Sequence, residues 1–191
     1  MENKSHNVKR ILIVVMGILV CFLIALSSIL ISNFREKDRT AEKVYSYLLV
    51  NSFDSIDNNI TKYDAALDEI TGSSDAEKFR NLIYDFRYAV YYDIMNIGEI
   101  IRYYPDDISE CDLIYLDTFL NSVYSLCEQG ELTSEVVSDV DYLFSCWKEC
   151  DISLLRSDYN KGFENLSFTD DRYGIKTFAS EVERLYEKYA S

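Results

Sequence analysis

Proline and glycine are scarce in this 191-residue chain, which has one proline, Pro105, and six glycines. Turn-rich β architectures draw on both residues, and no strand-like alternation of apolar and polar residues is present either. Histidine is scarcer still in what it permits. The single histidine, His6, lies in the N-terminal tail. The remaining chain therefore has no Ser-His-Asp or Cys-His pairing and no His-containing metal site. No glycine-rich phosphate loop occurs. Basic residues are outnumbered 33 to 19, for a net charge of −14. Residues 1–35 hold four basic residues and one acid, so the remainder carries about −17. An acidic surface of that size repels nucleic acid and anionic lipid. No nucleic-acid partner and no cofactor is expected.

What the chain does have is ILIVVMGILVCFLIALSSILIS, residues 11–32, without a charge. At about 1.5 Å per residue this run spans roughly 33 Å as a helix, against about 30 Å of bilayer hydrocarbon. A cleavable signal has a shorter apolar region of about 7–15 residues. Ala25-Leu26-Ser27-Ser28 has the composition of a cleavage site, but Ile29-Leu30-Ile31 continues the apolar run past it. The run is therefore expected to stay as a membrane anchor. Lys4, Lys9 and Arg10 precede it, and Arg35, Lys37, Arg39 and Lys43 follow, so the basic flanks nearly balance. A short basic tail is easily retained, which places the N-terminus in the cytoplasm and the larger part outside a single-pass cell membrane protein. The expected organisation is a tail over 1–10, an anchor over 11–32, a helical bundle over 33–162, and a loop with a C-terminal helix over 163–191.

Beyond the anchor, apolar residues recur at steps of three and four. The first stripe is Leu49, Phe53, Ile56, Ile60, Tyr63, Leu67 and Ile70, with no breaker between it and the anchor. Thr71-Gly72-Ser73 predicts a stop, and Ser74 to Glu77 reads as a capping box. A second helix carries Ile83, Phe86, Val90, Ile94, Ile97, Ile101 and Tyr104, and ends at Pro105-Asp106-Asp107. A third shows Leu113, Leu116, Leu120, Val123 and Cys127, stopping at Gly130; Asp106, Asp107 or Ser109 is its expected cap. A fourth, capped by Thr133 or Ser134, continues through Val136, Val140, Leu143, Trp147, Cys150 and Leu154. After a loop over 163–174, a last helix carries Ile175, Phe178, Val182, Leu185 and Tyr189. The expected fold is all-α: an antiparallel four-helix bundle, with the fifth helix either packed on it or extending from it.

Four cysteines lie beyond the anchor. Cys127 and Cys150 fall on core stripes and read first as small buried residues. In an oxidising compartment a bridge such as Cys127 to Cys150 is the better disulfide candidate, because the two thiols of CWKEC, one helical turn apart, are awkward to join. One C-x(2–4)-C pair does not make a zinc site. Carboxylates are too abundant for any pair to mark a catalytic site, and no catalytic residue is assigned. Tyrosine is the outlier, with 16 residues. Tyr84, Tyr88 and Tyr91 make a second stripe on the second helix and read as part of an aromatic core whose hydroxyls reach the rim. Tyr92 and Tyr103 fit that core less well and are the candidate partner-binding residues.

The turn RYYPDDISE, the helix LDTFLNSVYSLCEQGELTSEV and the acidic amphipathic helix after it, all following an N-terminal anchor, resemble the N-terminal helical region of YpeB-like spore germination proteins, over about residues 8–160. The pattern departs after Asn165, and the PepSY-type repeats of that family are missing. The resemblance implies a membrane-tethered, non-enzymatic partner that holds a cortex-lytic enzyme. Taken together, the expected function is a non-enzymatic anchored bundle that binds another envelope protein, with self-association into a homo-oligomer also open to it. The alternative is an extracytoplasmic ligand-sensing bundle.

Overall fold

The computed structural model describes residues 2–70, 75–103 and 108–189, with side chains described at Met16, Val20 and from Phe22 onward. The α-helices are α1 (Glu2–Leu67), α2 (Ala76–Tyr103), α3 (Ile114–Gln129), α4 (Ser134–Lys148), α5 (Ile152–Lys161) and α6 (Ile175–Tyr189), with short 3-10 turns at Ser109–Cys111 and Phe163–Asn165. Among the described residues there is no strand, so the all-α expectation holds. The chain divides into two units, Met1–Val44 and Tyr45–Ser191. In the first, every described side chain is exposed. Among the described residues no helix is long and apolar enough to cross a membrane. Much of the 11–32 run lies outside the described side chains. The proposed capping residue Ser74 and the turn at Pro105, Asp106 and Asp107 lie outside the described residues.

The second unit is a closed ring of helices around one core. The part of α1 beyond Tyr45 runs antiparallel to α2: Tyr45 stacks on Tyr103 with ring centroids 5.2 Å apart, and Tyr63 meets Phe86 at 5.5 Å. Next, α2 runs antiparallel to α3, joined by Arg87 to Asp117 at 2.7 Å and by Tyr84 against Tyr124 at 5.8 Å. Then α3 packs on α6, with Tyr115 stacked on Tyr186 and Phe119 against Tyr189. In turn α6 runs antiparallel to α4: Lys188 pairs with Asp139, Tyr142 donates to Glu181, and Trp147 meets Phe178 edge-on at 4.9 Å. Finally α4 and α5 follow α1, through Trp147 to Asp57, Arg156 to Asp54, and Tyr47 against Tyr159. Phe86 and Phe144 meet across the middle, with centroids 4.9 Å apart.

The buried side chains follow the expected stripes. Leu49, Phe53, Ile56, Ile60, Ile83, Phe86, Val90, Ile94, Leu116, Leu120, Val140, Leu143, Phe178, Val182 and Leu185 are all buried. Each helix places one residue in three or four on that seam, which makes burial and helical pitch agree.

The fourth helix does not run from Ser134 to Leu154. It ends at Lys148, and Asp151 starts α5 by accepting the Leu154 N–H at 2.8 Å. A side-chain acceptor at that point offers the backbone a competing partner, so the chain turns without losing its apolar register. Of the two alternatives for the last helix, the packed one holds: it is a wall of the ring, with Ile175, Phe178, Ala179, Val182 and Leu185 buried. Its start is fixed by Asp171, whose carboxylate accepts from the backbone N–H groups of Lys176 and Thr177 at 2.8 and 3.0 Å. The start of α3 departs in detail. Ser109 opens a 3-10 turn, and Asp112 supplies the acceptor for the Ile114 N–H at 3.0 Å.

Candidate functional site

Helix α2 has two faces of different chemistry. Phe79, Ile83, Phe86, Val90, Ile94, Ile97 and Ile101 point into the ring. A residue one position along a helix is turned by about 100°, which carries the neighbouring positions out to solvent. Tyr84, Tyr88 and Tyr91 are accordingly exposed, at 54%, 69% and 38%. This overturns their reading as core: the inner face of α2 is already filled by Phe and Ile, and α1 and α3 flank that face, which leaves the tyrosine stripe turned outward.

Tyr92 and Tyr103 are also exposed, at 70% and 64%. They lie eleven residues apart, about three turns and roughly 16 Å along the same side of α2. Neither ring is isolated. Tyr92 sits edge-on to Tyr91 at 5.5 Å, and Tyr103 stacks on Tyr45. Tyr124 of α3 widens the surface beside Tyr84, its hydroxyl donating to Glu128 at 3.0 Å. Arg87 lies at the edge of this surface, its Nε and Nη2 donating to the two oxygens of Asp117 at 2.7 and 3.2 Å. That fork fixes α2 against α3. The hydrogen bond to Asp117 raises the Arg87 guanidinium above its ordinary value, so the guanidinium stays charged.

The cysteines do not come together as a site. All four outside residues 1–44 are free thiols. Cys150 donates towards the Gly174 carbonyl at 3.5 Å, at the start of α6. Cys127 lies two turns beyond Phe119, which meets Tyr189 at the end of α6. The 15 residues of α6 separate those two ends by roughly 22 Å, and a disulfide needs Cα atoms within about 7 Å. The ring therefore keeps Cys127 and Cys150 apart, because α3 runs parallel to α6 and carries Cys127 to the opposite end. Burial pushes the Cys111 and Cys150 thiols up to about 12, so both stay protonated at neutral pH. A thiol in that state is neither a nucleophile nor a metal ligand. Among the described residues no group of three or more His, Cys, Asp or Glu side chains could hold a metal ion.

One buried carboxylate escaped the sequence reading. Asp158 of α5 is 3% exposed and accepts from Lys161 at 3.0 Å, Arg172 at 2.8 Å and the Tyr173 hydroxyl at 3.2 Å. Lys161, followed by Arg172, holds it below the usual carboxylate range. Two of its partners, Arg172 and Tyr173, pin the loop before α6 onto α5, which is a structural duty: every oxygen is occupied by the protein's own donors. Its spacing to Lys161 in sequence is an ordinary i, i+3 pair, and nothing local announces Arg172 and Tyr173.

The arrangement that remains open to another molecule is thus the tyrosine face of α2. Comparison with protein-family models, curated proteins and solved structures finds no match to this chain.

Proposed function

We propose that the chain is a membrane-anchored, non-enzymatic helical bundle that binds another envelope protein through the tyrosine face of α2. The observation that carries this reading is the row of exposed rings, Tyr84, Tyr88, Tyr91, Tyr92 and Tyr103, on one side of a helix whose other side is core. Tyrosine combines large apolar area with a hydroxyl and loses little side-chain freedom on docking, which is why it concentrates in protein interfaces. An exposed apolar row of this extent is unusual on a lone soluble surface. Anchorage is supported by the uncharged run over 11–32, and by the exposure of Phe22, Leu23, Ile24, Ile29, Leu30 and Ile31 within it. In this reading the short basic tail with Lys4, Lys9 and Arg10 stays in the cytoplasm and the bundle lies outside. The resemblance to YpeB-like germination proteins supports a cortex-lytic enzyme as the partner.

The test is cross-linked co-purification of the tagged full chain from native membranes, with partners identified by mass spectrometry. A wall enzyme recovered with the wild type, and lost with Tyr92→Ala or Tyr103→Ala at unchanged helicity, is the expected result. Recovery of the chain with no envelope protein would sink the tether reading.

A further inference from the structure

We infer that residues 16–44 of α1 pair in parallel with the same residues of a second copy of this chain, through a seam on Phe34, Lys37, Ala41 and Val44. This rests on the anchor reading above. Residues 33–44 are helical and none of them is buried. Phe34 is 63% exposed and Val44 50%. The segment continues α1 between the uncharged run and the bundle, and most helical stability in water comes from a packed face, which no described residue of this chain gives it.

The composition shows which face. From Phe34 the steps to Lys37, Ala41 and Val44 are three, four and three, the 3.5-residue spacing of a coiled-coil seam. With Phe34 and Ala41 at a, and Lys37 and Val44 at d, the segment's seven charges sort themselves. Arg35, Glu36, Arg39, Glu42 and Lys43 fall on the outer b, c and f positions. Lys37 remains at d and Asp38 at e, the position that flanks d across a parallel pair, so each lysine meets the other copy's Asp38. The core stripe of the bundle is a different line on the helix. Leu49, Phe53, Ile56 and Ile60, carried back by the same steps, fall on Ser46, Glu42, Arg39 and Arg35. The Phe34 seam is therefore not the tail of that stripe.

Towards the N-terminus the same steps reach Leu30, Ser27, Leu23, Val20 and Met16, all exposed. From Met16 to Val44 the seam covers four heptads, enough for a stable coiled coil, and Ser27 adds a hydroxyl where lipid offers no partner. A second copy is the fitting occupant for three reasons. Two copies anchored in one membrane point the same way and hold identical residues at the same height. A 3–4 stripe is complementary to itself in that register. The segment 33–44 carries four basic and three acidic residues, so two copies meet there without the repulsion of the acidic remainder.

Photo-cross-linking of the full chain in native membranes tests this. Benzoylphenylalanine is placed at position 34, 41 or 44 on the seam, or at 35, 39 or 43 on the outer face. Carbonate extraction is run first, so that loss from the membrane, which ends the anchor reading, is scored separately. In membrane-retained protein the expected result is an adduct at twice the 22.2 kDa chain mass from 34, 41 and 44, with loss of that band at 35, 39 and 43. Equal adducts from both faces, an adduct with a different protein, or no adduct at the seam would overturn the pairing.

Discussion

Trp147 of α4 donates its indole N–H to the carboxylate of Asp57 on α1 at 2.9 Å, across the ring's last closing contact. The ring system itself is 1% exposed and lies against Phe53 and Phe178. A buried donor that loses its acceptor bears the full desolvation penalty, about 1–3 kcal/mol. Asp57→Ala is therefore expected to lower the unfolding free energy by about that amount, while Asp57→Asn, which keeps an acceptor, should lose less. Trp147 is the chain's single tryptophan, so its fluorescence in a urea titration reads this contact directly. Equal midpoints for the wild type and Asp57→Ala would show that the bond contributes nothing.

The two faces of α2 should respond oppositely to truncation. Phe86 is fully buried and meets both Tyr63 and Phe144. Phe86→Ala leaves a cavity and should cost about 3–5 kcal/mol. Tyr88→Ala and Tyr92→Ala remove rings already in solvent and should stay within about 0.5 kcal/mol. The comparison of unfolding midpoints separates surface from core, and loss of stability in Tyr92→Ala would return that ring to the core.

Gly174 is a position where backbone and packing agree on glycine. Its φ is +74°, and an added Cβ would lie 3.3 Å from both Cys150 Cα and the Glu149 carbonyl oxygen. The left-handed conformation alone costs an L-residue about 1–2 kcal/mol, and the contacts are with backbone, which cannot rotate away. Gly174→Ala should therefore destabilise by more than that, and should do so mainly by loosening the join between α4 and α6. Hydrogen exchange at Asp151 N–H, which is bonded to the Tyr173 carbonyl at 2.9 Å, should speed up more than exchange in α2. Uniform acceleration across the ring would contradict this local account.

These elements differ in how far the chain alone reveals them. The seams of α2, α3 and α6 are readable because a helix repeats its burial every three to four residues, so Phe86, Leu120 and Phe178 announce themselves by spacing. The break at residues 149–151 leaves no such mark. Trp147, Cys150 and Leu154 keep the helical step across it, and what restarts the helix as α5 is a backbone N–H, that of Leu154, donated to the side chain of one aspartate, Asp151. The duty of Asp158 is equally silent, since Arg172 and Tyr173 approach it only after the loop has folded. The exposure of the tyrosine stripe on α2 is hidden from the sequence for the same kind of reason. Whether Tyr84, Tyr88 and Tyr91 are covered depends on where α1 and α3 sit around α2, and that placement belongs to the ring, not to the stripe.

Asp93 of α2 gives a stability test with a defined pH direction. It is half-buried against α1, where the hydroxyls of Ser55 and Ser52 donate to it. Burial raises its pKa, and the two serines offset part of that rise. An acid whose folded value is raised binds its proton more tightly in the folded chain than in the unfolded one, whose value is about 3.9. The contribution of this group to stability therefore falls as pH rises from the unfolded value through the folded value, and stays lower above it. Asp158 works in the opposite sense. Its lowered value favours the fold above the unfolded value, and that support is lost as acid protonates it. At pH 7 Asp93→Asn removes a disfavoured charge and keeps groups able to bond Ser52 and Ser55, so it should raise the urea midpoint. At pH 3, where the carboxyl is protonated in both states, the same substitution should change little. Asp158→Asn should instead lower the midpoint at pH 7, and the difference should shrink as the pH falls. An Asp93→Asn variant less stable than the wild type at pH 7 would mean that its charged form is welcome in the folded chain, and that the serines outweigh the burial.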